Sequence, residues 1–174
     1  MRALANRLRN AEGAEIAEAA LVLPVVFVFL LGIIWFGRAF NIYSTIQQAA
    51  QQGAITAARP TCATCGNTFP IDGTVVKVVT AVMQASNLDV TQIQPKAPAA
   101  PAFCKLPLPA GSCSSASAGN PTICREVWLN SPGEPEICGT LVSFQYPFQF
   151  YLPFTSLNLS KILLTAQAQS RMEN

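Results

Sequence analysis

The chain has 174 residues and a formal net charge of +2; 51% of its residues are hydrophobic, 11% are charged, and none is histidine. In a soluble domain about a quarter of the residues are usually charged. A chain of this length suits one domain with an appendage. With so little charge and no basic patch, the composition excludes a nucleic-acid partner. The absence of histidine removes the commonest general base and the commonest zinc ligand.

An apolar run near the N-terminus predicts a membrane span. No residue from Ala19 to Gly37 is charged, and this is about the length that crosses a bilayer core of roughly 30 Å. Arg2, Arg7 and Arg9 precede the run and only Arg38 follows it closely, which places the N-terminus in the cytoplasm. A cleaved secretory signal is the alternative, but its apolar core spans about 7–15 residues and ends at a small-x-small site.

The same helix is predicted to continue beyond the membrane, from Ala14 to Ala58, with Pro60 as its stop. At 1.5 Å per residue it would be about 67 Å long, twice a bilayer, so its outer half must pack against its own domain or against other subunits. Helical spacing gives this half an apolar face (Ala39, Ile42, Tyr43, Ile46, Ala49, Ala50, Gly53) and a polar face (Asn41, Ser44, Thr45, Gln48, Gln51, Gln52).

All six cysteines follow the apolar run, as expected for disulfides in an oxidising compartment: Cys62, Cys65, Cys104, Cys113, Cys124 and Cys138. Six cysteines allow about fifteen pairings, although Cys104 and Cys113 could close part of one loop. Cys62 and Cys65 have C-x-x-C spacing, but they follow a helix, whereas redox-active pairs usually open one. We therefore expect structural disulfides, no metal site and no catalytic residue.

Residues 59–174 are predicted to form a small α+β domain. Residues 71–88 predict a second helix with Asp72 as its N-cap and an apolar face of Val75, Val76, Val79, Val82 and Met83. Strands are predicted at 89–94, 123–130, 138–152 and 162–171, and residues 95–122 form a long irregular loop.

Two of these strands carry alternating patterns that place one face of an antiparallel sheet in the core. Phe144, Tyr146, Phe148 and Phe150 form one row, and Ile162, Leu164, Ala166, Ala168 and Ser170 form the other. Pro147 cannot donate to a ladder and marks an edge or a bulge. The predicted fold class is α+β: a long membrane-spanning N-terminal helix, then a disulfide-stapled antiparallel sheet with one packed helix.

The segment around Gly13 explains why Glu15 and Glu18 open an apolar helix. A basic leader, a glycine, a glutamate five residues later and an apolar helix resemble the prepilin-type signal of type IV pilins and pseudopilins. The resemblance implies a cut after Gly13 by a prepilin peptidase, which makes Ala14 the new N-terminus. The amine of Ala14 could then neutralise Glu18 of a neighbouring subunit, and Glu15 could act likewise or face lipid headgroups.

The wider stretch of residues 12–58 and the C-terminal segment 142–174 resemble the TadE-like family, the pilin-like proteins of the tight-adherence (Tad) pilus machinery. One position departs from the pattern, since Ala19 stands where such proteins often have an aromatic residue. The resemblance implies a leader at 1–13, an extended helix at 14–58 and an extracytoplasmic α+β domain at 59–174. It further implies a single-pass protein of the bacterial inner membrane whose partners are other pilin-like subunits. No cofactor, small-molecule substrate or nucleic acid is implied.

Three functional hypotheses follow. The first is a minor, non-enzymatic assembly subunit, since the 161 residues left after cleavage (174 − 13) exceed the length of a main fibre pilin. The second is an uncleaved bitopic envelope protein whose stapled domain binds a partner. The third is a membrane-tethered dithiol enzyme that uses Cys62 and Cys65.

Overall fold

A computed structural model gives the fold of the chain. It describes residues 2–60, 68–99, 101–104, 111–114, 117–130, 135–149 and 161–172, with side chains from residue 15 onward. The elements are α1 (Arg2–Ala58), α2 (Asp72–Ala85), a 3₁₀ turn (Val90–Gln92), β1 (Gln94–Pro95), β2 (Thr122–Trp128), β3 (Cys138–Phe148) and β4 (Ile162–Arg171). The fold class is α+β, as predicted.

The first helix, α1, is continuous in backbone conformation and contains Pro24. The chain divides into two compact units, residues 1–40 and residues 41–174, so α1 contributes to both. In the second unit, one side of α1 is buried. Ile46, Ala49, Ala50 and Gly53 are buried as predicted. Tyr43, expected on the apolar face, is 44% exposed, whereas Thr45, expected on the polar face, is only 7% exposed. The buried arc is therefore shifted from the predicted one, because contacts with α2 and the sheet decide which side of the helix is covered.

The second helix, α2, packs through Val75, Val79 and Met83, which are fully buried. The prediction that Asp72 is its N-cap is wrong. Ile71 occupies the cap position with an extended backbone and no side-chain cap, and Asp72 is the first helical residue. Its carboxylate is drawn away from the helix amides because it accepts hydrogen bonds from Arg125.

β3 is the central strand of a four-stranded antiparallel sheet. β4 pairs with β3 from Gly139 to Phe148, while β2 and then β1 pair along the other side of β3. β1 begins opposite Gln145 and runs away from Pro147, so among the described residues Pro147 pairs with β4 alone, which fits the expected edge. The predicted strand at 89–94 is mostly a 3₁₀ turn, because the Asp89 carboxylate accepts from both the amide and the hydroxyl of Thr91.

The core lies between the helices and one face of this sheet. Phe144, Tyr146 and Phe148 are 0%, 6% and 4% exposed, which confirms the predicted aromatic row over these three residues. Phe150 lies outside the described residues. On β4, Ala166 is buried and Leu164 and Ala168 pack against the same cluster, which confirms the predicted alternation over these three residues. Ile162, predicted on the same face, is 46% exposed because it lies at the start of the strand, outside this cluster.

The outer edge of β2 is covered by two short segments of the predicted loop. Residues 111–114 pair opposite 123–125, and residues 101–104 pair opposite 126–128. Disulfides hold both segments: Cys113 bonds Cys124, and Cys104 bonds Cys138. The expected Cys104–Cys113 closure is therefore wrong, because the two cysteines lie on separate segments that pair with opposite ends of β2.

Candidate assembly interface

The two carboxylates that open the apolar helix, Glu15 and Glu18, are both exposed on α1. They are three residues apart, so their side chains lie on neighbouring positions of one side of the helix. Among the residues whose side chains the structure describes, neither carboxylate forms an ion pair; the one salt bridge there joins Arg125 and Asp72. A carboxylate without a partner at a membrane edge costs a few kcal/mol as it moves inward. Each of the two glutamates could therefore form an ion pair with a cationic group of another chain.

Gly13 and Ala14, the predicted cleavage pair, lie in the helical backbone of α1. Only the backbone of these two residues is described, so the cleavage site stays a prediction. Glycine within a helix is about 1 kcal/mol less favourable than alanine, so Gly13 is a position where the helix is locally less stable.

The helix that follows is apolar, and most of its described side chains are exposed. Ile16, Leu23, Phe29 and Phe36 are 69–73% exposed. Such a continuous apolar surface is not stable in water and requires lipid or other apolar helices around it. One helix of the described chain, within Glu15–Ala58, is long and apolar enough to cross a membrane.

An aromatic and a cationic residue mark the end of the apolar segment. The guanidinium of Arg38 lies 5.8 Å from the centroid of the Trp35 ring, within the range of a cation–π contact. Tryptophan and arginine are the side chains that anchor a helix at a membrane–water interface. The apolar segment therefore ends at the residues where an interfacial anchor would be needed.

The outer half of α1 packs on its own domain. Of the two alternatives left by the sequence, packing within the chain or against other subunits, the structure shows the first for its buried face. Gly53 lies so close to α2 that a Cβ there would be 2.6 Å from a methyl carbon of Val79. Most of the apolar face of this half is thus already covered within the chain, and Tyr43 is the exception at 44% exposed. Its exposed face is polar and uncharged from Asn41 through Gln48 and Gln51 to Gln52.

The cysteines divide into two groups. Cys104, Cys113, Cys124 and Cys138 form disulfides, and their role is structural because they fasten the edge segments to the sheet. Cys62 and Cys65 lie outside the described residues, so the dithiol hypothesis is not tested. Glu126 lies with Cys104 and Cys138 in a group whose potential ligand atoms are within 4.8 Å of one another. Because both sulfurs are joined to each other, they are not thiolate ligands for a metal.

Arg125 is the residue that the sequence analysis missed. It lies in an irregularity of β2, where the register with β3 shifts between Cys124 and Val127, and Glu126 has a φ of 55°. The irregularity directs the Arg125 side chain to the helices, where it donates to Asp72, to the carbonyl of Ala57 and to the carbonyl of Pro70. It thereby joins the end of α1, the start of α2 and the sheet. A lone arginine in a short strand gives no sequence signal for this role.

Comparison with known families bears on the N-terminal part of the chain. The model of the TadE-like protein family matches residues 13–54. The match begins at Gly13, includes both glutamates and the apolar segment, and ends within the part of α1 that packs on the sheet. No curated protein and no solved structure matches the chain.

Proposed function

We propose that this chain, a TadE-like, pilin-like protein with an N-terminal hydrophobic helix over residues 13–54, is a minor assembly subunit of a Tad-type type IV pilus. It is cut after Gly13 by the prepilin peptidase and packs through its membrane helix against other pilin-like subunits. The observation that carries the proposal is an exposed carboxylate, Glu18, at the start of an exposed apolar helix within the family match. Proteins of this family are generally structural and non-enzymatic.

Two independent features support an orientation with the N-terminus in the cytoplasm. Arg2, Arg7 and Arg9 precede the apolar segment, and positive charge stays on the cytoplasmic side. The bonded pairs Cys104–Cys138 and Cys113–Cys124 lie beyond the segment, and disulfides persist on the oxidising side of a membrane. The inner membrane then holds the helix, and the sheet domain is extracytoplasmic.

The chemistry of assembly rests on one charge pair. Cleavage after Gly13 gives Ala14 a cationic amine four residues before Glu18. Two opposite charges 4 Å apart attract by about 4 kcal/mol at an effective dielectric constant of 20, before the cost of desolvation is subtracted. If the amine pairs with Glu18 of a neighbour, the pair fixes the axial register between two apolar helices.

The covered outer half of α1 limits where subunits can meet. Its buried residues, including Ala49, Ala50 and Ala54, already pack in the core of their own domain. Subunit contacts through α1 therefore involve the membrane segment and the exposed polar face around Gln48, and the core residues stay within the chain.

Replacing Glu18 tests this function. We expect Glu18→Ala and Glu18→Gln to be cleaved and inserted normally but to lose co-purification with the other pilin-like subunits. Glu15→Ala is the matched control, since it removes a carboxylate from the same side of the helix and should retain most of the co-purification. N-terminal sequencing of each variant separates a failure of cleavage from a failure of assembly.

Wild-type co-purification of cleaved Glu18→Gln would exclude pairing between Glu18 and a neighbour's amine. It would leave each amine to interact with the glutamate of its own helix, or with lipid. If wild-type protein itself keeps Met1 and co-purifies with no pilin-like subunit, the chain is the uncleaved bitopic protein, and the family function does not extend to it.

A further inference from the structure

Glu126 lies in an unusual place relative to a disulfide. One of its carboxylate oxygens is within 4.8 Å of the sulfurs of both Cys104 and Cys138. All three residues are partly buried. The position follows from the irregularity in β2, where the left-handed backbone of Glu126 (φ 55°) departs from the regular alternation of the strand.

The backbone holds this arrangement in place. The amide of Cys104 donates to the carbonyl of Glu126 at 2.9 Å, and Cys138 pairs with Trp128 at the start of β3. The preceding residue, Arg125, is bound to Asp72 on the helix side, so its charge is already paired. Among the described residues no salt bridge neutralises Glu126.

We propose that Glu126 makes the Cys104–Cys138 disulfide a charge-selective site of thiol–disulfide exchange, which resists small anionic thiols and reacts more readily with cationic ones. The inference concerns the outer domain alone and does not depend on the pilus function. It gives a role to a carboxylate that the fold does not otherwise use.

The reaction explains the selectivity. A thiolate attacks one sulfur, a new S–S bond forms while the Cys104–Cys138 bond breaks, and the other cysteine leaves as a thiolate. A second thiolate then completes the reduction, so two thiols are oxidised to a disulfide as the protein pair gains two electrons. Negative charge accumulates on the sulfurs during each attack, beside the Glu126 carboxylate. A further anionic group on the attacking thiol adds repulsion, whereas an ammonium group relieves it.

The second disulfide provides an internal reference. Cys113–Cys124 lies on the same edge of the sheet, and its sulfurs have no comparable carboxylate among the described residues. Cys124 is fully buried while Cys113 is partly exposed. The rate of this bond reports general access and folding, and any charge effect specific to Glu126 should be absent from it.

The test measures reduction of the full chain in detergent by two thiols, 2-mercaptoethanesulfonate (anionic) and 2-aminoethanethiol (cationic). Samples are alkylated at intervals, and each disulfide is followed by peptide mass spectrometry. For unit charges about 5 Å apart, Coulomb's law gives a factor of about four in bulk water and a larger one at the lower effective dielectric constant of a protein surface, so about four is the lower limit. We expect Glu126→Gln to increase the rate at which the anionic thiol reduces Cys104–Cys138 by at least that factor. The rate with the cationic thiol should change much less.

Further variants and conditions keep the proposal refutable. Glu126→Lys should reverse the preference, and roughly 1 M salt should reduce the wild-type preference towards none. Lys105 follows Cys104 in the sequence and lies outside the described residues, so the series is repeated with Lys105→Gln. Unchanged Cys113–Cys124 rates show that the variants remain folded. If Glu126→Gln and Glu126→Lys leave the ratio of the two rates at Cys104–Cys138 unaltered, the proposal is wrong.

Discussion

Arg125 should contribute more to the stability of the outer domain than any other charged residue that the structure describes. The Arg125 side chain is only 23% exposed, and Arg125→Met keeps its aliphatic stem while removing the guanidinium. The ion pair with Asp72 accounts for about 1 kcal/mol, because Asp72 is 45% exposed and its charge is screened. Hydrogen bonds from the charged group to the carbonyls of Ala57 and Pro70 add about 1 kcal/mol each. The expected loss in free energy of unfolding is therefore about 2–3 kcal/mol.

The assay is urea unfolding of the full chain in detergent, followed by the fluorescence of Trp128. Trp128 lies on β2 with its indole nitrogen buried, so its emission reports the sheet. Replacing Trp35 by Phe removes the second tryptophan signal. Asp72→Asn is the matched control and should cost no more than about 1 kcal/mol, since it removes the ion pair and leaves the carbonyl contacts. A loss below about 0.5 kcal/mol in Arg125→Met, or equal losses in the two variants, would refute the assignment of Arg125 as the link between helices and sheet.

Other predictions follow from close contacts and burial. Gly53→Ala should destabilise the domain by about 1–2 kcal/mol because the added Cβ meets Val79. Gly73→Ala should instead stabilise it by up to about 1 kcal/mol, because a Cβ at Gly73 has open space around it. Urea unfolding of the two variants separates the effect of close packing from that of helix propensity. Gly139→Ala should cost at least about 2 kcal/mol, since its Cβ would meet a backbone carbonyl of β4, and failure to lower the unfolding midpoint would contradict that contact. Burial raises the pKa of the Tyr146 phenol in the folded protein. As the pH rises, the unfolded chain loses this proton before the folded protein does, so stability should fall above about pH 10. The fall should be smaller in Tyr146→Phe when unfolding is measured from about pH 8 to 11.

Periodicity predicted the elements but not the contacts that join them. The apolar stripe of α2 and the alternation in β4 follow from the chain itself, since each needs one buried face. The disulfide pairing depends on where two loop segments reach the edge of β2, and no local pattern encodes that position. Asp72 has the residue type and position expected of an N-cap. Its carboxylate instead accepts hydrogen bonds from Arg125, which lies on a strand 53 residues away in sequence.

The candidate assembly site shows a different limit. Gly13, Ala14, Glu15 and Glu18 were identified from a resemblance that the family match supports at residues 13–54. Their proposed partners are a peptidase and the amine of another subunit. A single chain therefore shows the exposure of Glu15 and Glu18 and the apolar helix after them, but the contacts that would define the roles of these four residues lie between molecules.

The N-terminus of the protein in its native membrane tests the central claim most directly. Intact mass and N-terminal sequence would be determined under non-reducing conditions, so that the same spectrum preserves the disulfides. We predict an N-terminus at Ala14 and a mass lower than that of the uncleaved chain by residues 1–13. An intact Met1 would contradict prepilin-type processing and leave a bitopic anchor. A start beyond residue 37 would identify a discarded secretory signal and contradict both the membrane helix and the assembly function.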